Sequence, residues 1–139
     1  MDQKEAIVQL WFSMWLQKTD LGIRDIFSED AIYMESWGPD YRGTEKIKGW
    51  FEEWNTRAEV LKWDIGQYFH KQNQTVVEWY FKAALHNGQI QEFEGISLIK
   101  WTQNNQICFL KEFGCNIDRY DPYQYGKIPR FKNEKSAWF

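Results

Sequence analysis

Residues 27–54, FSEDAIYMESWGPDYRGTEKIKGWFEEW, decide how this chain folds. Residues 30–35 alternate apolar and polar side chains and set the β-branched Ile32 beside Tyr33, a pattern that predicts a short strand. Trp37-Gly38-Pro39-Asp40 then breaks the chain, because Gly-Pro neither continues a strand nor opens a helix. Arg42-Gly43-Thr44 restarts it. The Thr44 hydroxyl suits an N-cap, and Glu45 suits the positive end of a helix. Ile47, Trp50, Phe51 and Trp54 follow at i, i+3, i+4 and i+7, one apolar stripe on a helix.

The flanking segments complete an α+β pattern. Upstream, residues 3–18 read as an amphipathic helix with Ile7, Leu10, Trp11, Met14 and Trp15 on its apolar face, and Asp20 can cap a second short helix running to Phe27. Downstream, residues 59–70, 75–86, 89–102 and 106–117 read as four strands. They are separated by a polar turn at Lys71-Gln72-Asn73-Gln74, the hairpin signal Asn87-Gly88, and Gln103-Asn104-Asn105. Three successive hairpins after helices predict an antiparallel meander packed on an N-terminal helical layer. Simple alternation on the first strand puts Val60, Lys62 and Asp64 on one face and Leu61, Trp63 and Ile65 on the other. Residues 1–117 form the expected domain, and residues 118–139 an aromatic-rich extension that packs on the domain, over a pocket mouth or on a second subunit.

Composition narrows the function classes. A chain of 139 residues is one domain, long enough to bury roughly 70% of its unfolded surface. A net charge of −3 argues against a nucleic-acid groove, which needs a basic face. No apolar run approaches the roughly 18 residues of a membrane span, and no signal-peptide pattern opens the chain. Cys108 and Cys115 are seven residues apart on a predicted strand, about 23 Å if extended and far beyond disulfide reach. They read as buried thiols in a reducing, cytoplasmic compartment. His70 and His86 sit at strand ends, and the sequence shows no metal-ligand spacing, phosphate loop or nucleophile elbow, so neither metal nor cofactor is expected. Aromatic residues make up 19% of the chain, with nine Trp, and this excess points to an aromatic-lined pocket for a small apolar or aromatic molecule, or to an interface.

Three motifs in order carry a resemblance: Phe27-Ser28-Glu29-Asp30-Ala31; Tyr41-Arg42-Gly43 with Ile47 and Trp50; and Gly95-Ile96-Ser97 with Lys111-Glu112-Phe113. Over residues 3–117 the chain resembles the nuclear transport factor 2-like superfamily, in its SnoaL-like and ketosteroid isomerase-like branch. The resemblance implies a cone-shaped, curved antiparallel sheet wrapped around three N-terminal helices, a pocket at the open end, and a homodimer through the outer face of the sheet. It also implies positions for chemistry. A ketosteroid isomerase uses a carboxylate base and two donors, a Tyr and a protonated Asp, to hold an enolate oxygen. The base position falls on Glu35, the tyrosine position on Trp11 and the acidic donor near Ser97. Two of these three parts are changed, which argues against steroid-type isomerisation, because lost oxyanion donors cost several kcal/mol.

The residues themselves leave alternatives open. Glu35 shares a strand face with Tyr33 and either enters a pocket as a general acid or base, or turns outward to pair with Arg42. Glu78 is an interface ion-pair member or a pocket acid; Glu112 beside Lys111 has the same two readings, with a solvated or cross-strand pair favoured. The expected lining is Trp11, Trp15, Tyr33, Trp37, Trp50, Trp54, Trp63, Ser97 and Phe113. Proton-transfer chemistry of the isomerase, cyclase or dehydratase type and non-catalytic binding both fit this set.

Overall fold

The computed structural model describes residues 2–132 of the chain. Three helices, α1 (Gln3–Gln17), α2 (Ile23–Ile26) and α3 (Thr44–Trp54), pack against six strands: β1 (Phe27–Met34), β2 (Asp40–Arg42), β3 (Ala58–Lys71), β4 (Gln74–Leu85), β5 (Ile90–Trp101) and β6 (Ile107–Cys115). The strands form one curved, open sheet in the order β2-β1-β6-β5-β4-β3. Every pairing is antiparallel except that of β1 with β6, which is parallel and closes the meander back onto the N-terminal half.

Local chemistry explains the helix boundaries. Asp2 caps α1, its Oδ1 accepting from the amides of Lys4 at 2.7 Å and Glu5 at 3.1 Å. Lys18, left-handed at φ 55°, ends it. The buried face of α1 is Val8, Trp11, Phe12, Met14 and Trp15, with Ile7 and Leu10 only packed at its margin. The sheet curves around the helix, so the apolar face is wider than a single stripe and includes Phe12, whose ring stacks on Trp63 at 3.8 Å. Asp20 accepts from the amides of Gly22 and Ile23, both at 2.8 Å, and meets the Lys48 ammonium at 2.6 Å, tying the turn before α2 to α3. These donors hold the Asp20 carboxyl down at about 2 against the opposing effect of its desolvation. At α3 the cap is Gly43, not Thr44. Gly43 sits at φ 99° and donates its amide to Ala31 O at 2.7 Å, while the Thr44 hydroxyl is buried without a partner. The break at residues 37–40 is short enough for the chain to return as β2 beside β1, a strand that the turn signals had concealed.

Two irregularities in β3 shape the sheet. Register shifts between Val60 and Lys62 and between Ile65 and Gln67 put Val60, Trp63, Ile65 and Tyr68 toward the core, so simple alternation fails on this strand. Each shift inserts a residue and bends the strand, which wraps the sheet around α1. On β4 alternation holds: Thr75, Val77, Trp79, Phe81 and Ala83 face inward and Glu78 faces out. The two buried hydroxyls of the inner face each receive an indole N–H, Trp79 donating to Ser97 Oγ and Trp101 to Thr75 Oγ1, both at 2.9 Å. Cys108, near the start of β6, is half-buried and Cys115, its last residue, is exposed, both free thiols, so the expectation of two buried cysteines fails.

After β6 the described chain runs on to Lys132 without a helix or strand and makes polar contacts of its own. Arg119 reaches Glu94 at 3.3 Å on the outer face of the sheet, and Lys132 reaches Asp118 at 3.4 Å. Trp138 and Phe139 lie outside the described residues.

Among the glycines, the closest approach lies at Gly95, opposite Gly114 on β6 and Trp79 on β4. A Cβ there would stand 2.4 Å from Phe113 O and 2.9 Å from the Trp79 ring. The Trp79 indole therefore lies flush on β5 only because residue 95 has no side chain. Gly95→Ala is expected to cost about 1–3 kcal/mol through this overlap and to lower Tm by several degrees. A thermal melt matching the parent protein would show that the strands separate without penalty.

Candidate active site

The open end of the sheet and helices α1 and α3 enclose a cavity of about 380 Å³. Its walls are aromatic: Trp15 from α1, Trp50 and Trp54 from α3, Trp63 from β3, Trp79 and Phe81 from β4, and Phe93 from β5. Many of the rings meet at right angles, as Trp15 does with Trp54 (82°) and Trp63 with Trp79 (90°). Tyr41 of β2 instead stacks on Trp50, with centroids 4.6 Å apart and planes at 15°. Trp37 stands at the mouth, largely exposed. Glu53 and Arg57 at the rim bond each other, with Arg57 Nη2 2.6 Å from Glu53 Oε1.

Two carboxyl groups face this space, Glu35 after β1 and Glu112 on β6. Glu35 opens a tight turn in which its amide donates to Pro39 O at 2.9 Å, and its side chain lies on the same strand face as the buried Tyr33. Tyr41 donates its hydroxyl to Glu35 Oε2 at 2.8 Å. The alternative pairing with Arg42 is not made: Arg42 meets Asp40 at 3.1 Å in solvent. Burial raises the Glu35 carboxyl above its ordinary range, and hydrogen bonding from the Tyr41 and Trp37 side chains opposes that rise.

Glu112 is the more perturbed acid. Its Oε2 accepts the Tyr33 hydroxyl at 2.7 Å, and the Tyr33 oxygen in turn accepts the Trp11 indole N–H at 3.4 Å. Loss of solvent raises the Glu112 carboxyl to about 8, with the nearby charge of Glu35 adding to the rise and the Tyr33 bond opposing it. At neutral pH Glu112 is therefore mainly protonated and able to donate, while Glu35 is the better candidate to accept a proton. Desolvation raises the Tyr33 hydroxyl well above its ordinary range and keeps it a neutral phenol.

Of the lining residues expected from sequence, Trp15, Trp37, Trp50, Trp54 and Trp63 reach the cavity together with Glu35. Trp11 and Tyr33 do not line it; both are fully buried behind it and act on it through Glu112. Ser97 faces the same interior, opposite Glu112 across the β5–β6 pairing, but the Trp79 indole covers its hydroxyl. Phe113 points to the outer face, 44% exposed, because its neighbour Glu112 takes the inward position. The sequence favoured a solvated or cross-strand pair for Glu112 over a pocket acid, and the structure places it in the cavity wall. The signal was its i+2 spacing from the buried Leu110, obscured because Phe109 and Phe113 make the opposite face apolar too. Away from the cavity, ligand-type atoms of Asp2, Glu5 and His70 lie within 4.8 Å of one another. Asp2 is engaged in capping α1, and His70 bridges Glu5 Oε2 and Thr75 Oγ1, each at 2.8 Å. No helix among the described residues is long and apolar enough to cross a membrane.

The fold and site can be set beside known proteins. A protein of ketosteroid isomerase-like fold from Catenulispora acidiphila, solved in complex with trimethylamine, aligns with TM-score 0.65 and 17% identity over 77% of this chain and 83% of that one. An NTF2-like protein from Burkholderia pseudomallei aligns with TM-score 0.68 and 10% identity over 83% and 92% of the two chains. An LEH-like epoxide hydrolase from M. tuberculosis gives TM-score 0.71 and 9% identity over 81% and 82% of the two chains. At such identities these likenesses establish the shared fold alone. No match was found among curated proteins. The SnoaL-like domain matches residues 8–109, from the first helix to the last strand, and the chain belongs to the SnoaL-like domain family.

Proposed function

We propose that the protein binds a small molecule with an apolar or aromatic body in the tryptophan-walled cavity and moves a proton on it, with Glu35 as base and Glu112 as acid. The observation that carries this reading is the pair of carboxyl groups facing one cavity with unequal surroundings. Glu35 is held by Tyr41, and Glu112 is driven toward its neutral form beside Tyr33. A neutral carboxylic acid in an apolar wall can hydrogen-bond an oxygen on which charge develops, while an ionised neighbour removes a proton from carbon. Isomerisation, cyclisation and dehydration all need this division of labour. Binding a neutral ligand alone would not require a buried acid without a basic partner, a feature that costs stability. The outer face, with Ile96 and Phe113 exposed around a shallow concavity, suits a second copy of the chain, and the segment after β6 borders it through Arg119 and Glu94.

Native mass spectrometry of the protein purified from cells, before and after mild denaturation, tests whether the cavity carries a small molecule. Base activity is readable without the natural substrate, as exchange of the methyl protons of acetophenone into deuterated water followed by NMR. Glu35→Gln is expected to slow enzyme-dependent exchange by about 100-fold or more while leaving ligand retention intact. Undiminished exchange would remove Glu35 from the mechanism, and no exchange in the parent with a retained ligand would leave binding as the function.

Glu112 makes a stability prediction with a defined sign. Its folded-state value near 8 lies above its ordinary 4.5, so between these pH values the folded protein holds a proton that the unfolded chain has lost. Its carboxyl therefore weakens folding progressively as pH rises through that window. Glu112→Gln is expected to raise Tm relative to the parent, with a gain that grows from about pH 5 to about pH 9. A pH-independent difference would place Glu112 in an ordinary solvated environment. Sedimentation of the full chain is expected to give a dimer, and of a chain ending at Ile117 a weaker one; monomers in both would undo the paired outer face.

A further inference from the structure

We propose that the ligand of this cavity is a small organic cation, an amine or quaternary ammonium compound, seated among the tryptophan rings and balanced by the Glu35 carboxylate, with the neutral Glu112 as a hydrogen-bonding neighbour. The inference rests on the reading of the cavity as a ligand site and adds the charge of the ligand. Among the lining residues the acids are Glu35, Glu53 and Glu112, and the base is Arg57. Arg57 is spent on Glu53, with Nε and Nη2 both bonded to Oε1 at 3.1 and 2.6 Å in the exposed rim. The two inner carboxyls thus face the cavity with tyrosine hydroxyls as their partners and, among the described residues, no cation of the wall beside them. A neutral occupant would expel water from Glu35 and return no counter-charge, which disfavours its ionised form. A positive occupant supplies the missing charge.

The walls favour the same class of molecule. Indole rings carry negative π faces, and tryptophan is the best of the aromatic residues at holding ammonium groups. Trp15 with Trp54, and Trp63 with Trp79 and with Phe81, stand near 90° to one another, so neighbouring rings turn different aspects toward a common space. Aliphatic side chains would line an apolar pocket equally well for a neutral guest; the described lining has none. Aromatic walls with two acids at one end match an alkylated nitrogen whose charge is spread over its methyl or methylene groups.

The test compares choline with 3,3-dimethylbutan-1-ol, in which carbon replaces the charged nitrogen at nearly the same shape. Binding is read by tryptophan fluorescence and calorimetry at neutral pH, with indole as a neutral aromatic control. Choline is expected to bind about tenfold tighter than the alcohol, the scale of a single favourable charge contact. Glu35→Gln and the double variant Glu35→Gln/Glu112→Gln, checked for folding by thermal melts, are expected to lose that preference and keep the alcohol. Equal or tighter binding of the alcohol or indole would overturn the cation assignment and leave the pocket reading standing. A preference for choline unchanged in both variants would remove the carboxyls from recognition and overturn the proposal. Silence toward all three compounds would overturn the pocket reading as well.

Discussion

The site depends on the parallel pairing of β1 with β6. That pairing sets Tyr33 beside Leu110 and Met34 beside Lys111, and so carries Glu112 to within 2.7 Å of a hydroxyl 79 residues earlier in the chain. Neither strand supplies a site alone. Glu112 without Tyr33 would be a desolvated acid lacking this hydrogen bond, and Tyr33 without Glu112 a buried hydroxyl with no carboxylate to receive its proton. Trp11 extends the connection into α1, so helix, first strand and last strand meet in one line of three polar groups inside an otherwise aromatic core. The rest of the architecture serves to hold this line dry: the bulged β3 bends around α1, Trp79 lies flat on Gly95, and Phe12 stacks on Trp63.

The polar accounting of the interior separates structural from chemical groups. Ser97 and Thr75, fully buried, each accept an indole N–H, and Thr75 Oγ1 also meets His70 Nδ1 at 2.8 Å. Such pairs anchor tryptophans in fixed orientations and ask for nothing further. The carboxyls differ in kind. Desolvation pushes both upward in pKa, and the hydroxyls that touch them offset only part of that push. Stability alone favours replacing such acids with uncharged groups, so their presence is better explained by what they do to an occupant of the cavity.

Much of this was legible in the amino-acid sequence, for identifiable reasons. The stripe Ile47, Trp50, Phe51 and Trp54 marks α3, with Ile47 and Phe51 buried and the two tryptophans turned to the cavity, because a helix has a single strong period. Asn87-Gly88 marks the β4–β5 turn, where Gly88 adopts φ 89°. What escaped depends on long-range pairing. The strand β2 has three residues and exists because β1 is there to receive it. The facing of β3 changes at bulges that no local rule announces, and Glu112 was ambiguous because both faces of β6 carry apolar groups. The cap at Gly43 was missed by one residue, since the amide of Gly43 is taken by Ala31 and a glycine is needed at φ 99°.

The bulges of β3 have a consequence outside the site. β3 is the free margin of the sheet, 14 residues long, and a straight strand of that length would offer an unbroken ladder of amides and carbonyls to any other extended chain. Its two register shifts interrupt that ladder, and Glu59, Lys62 and Asp64, exposed along it, make an incoming strand bury charge. The distortion that curves the sheet around α1 therefore also guards the molecule against growing, edge upon edge, into aggregates.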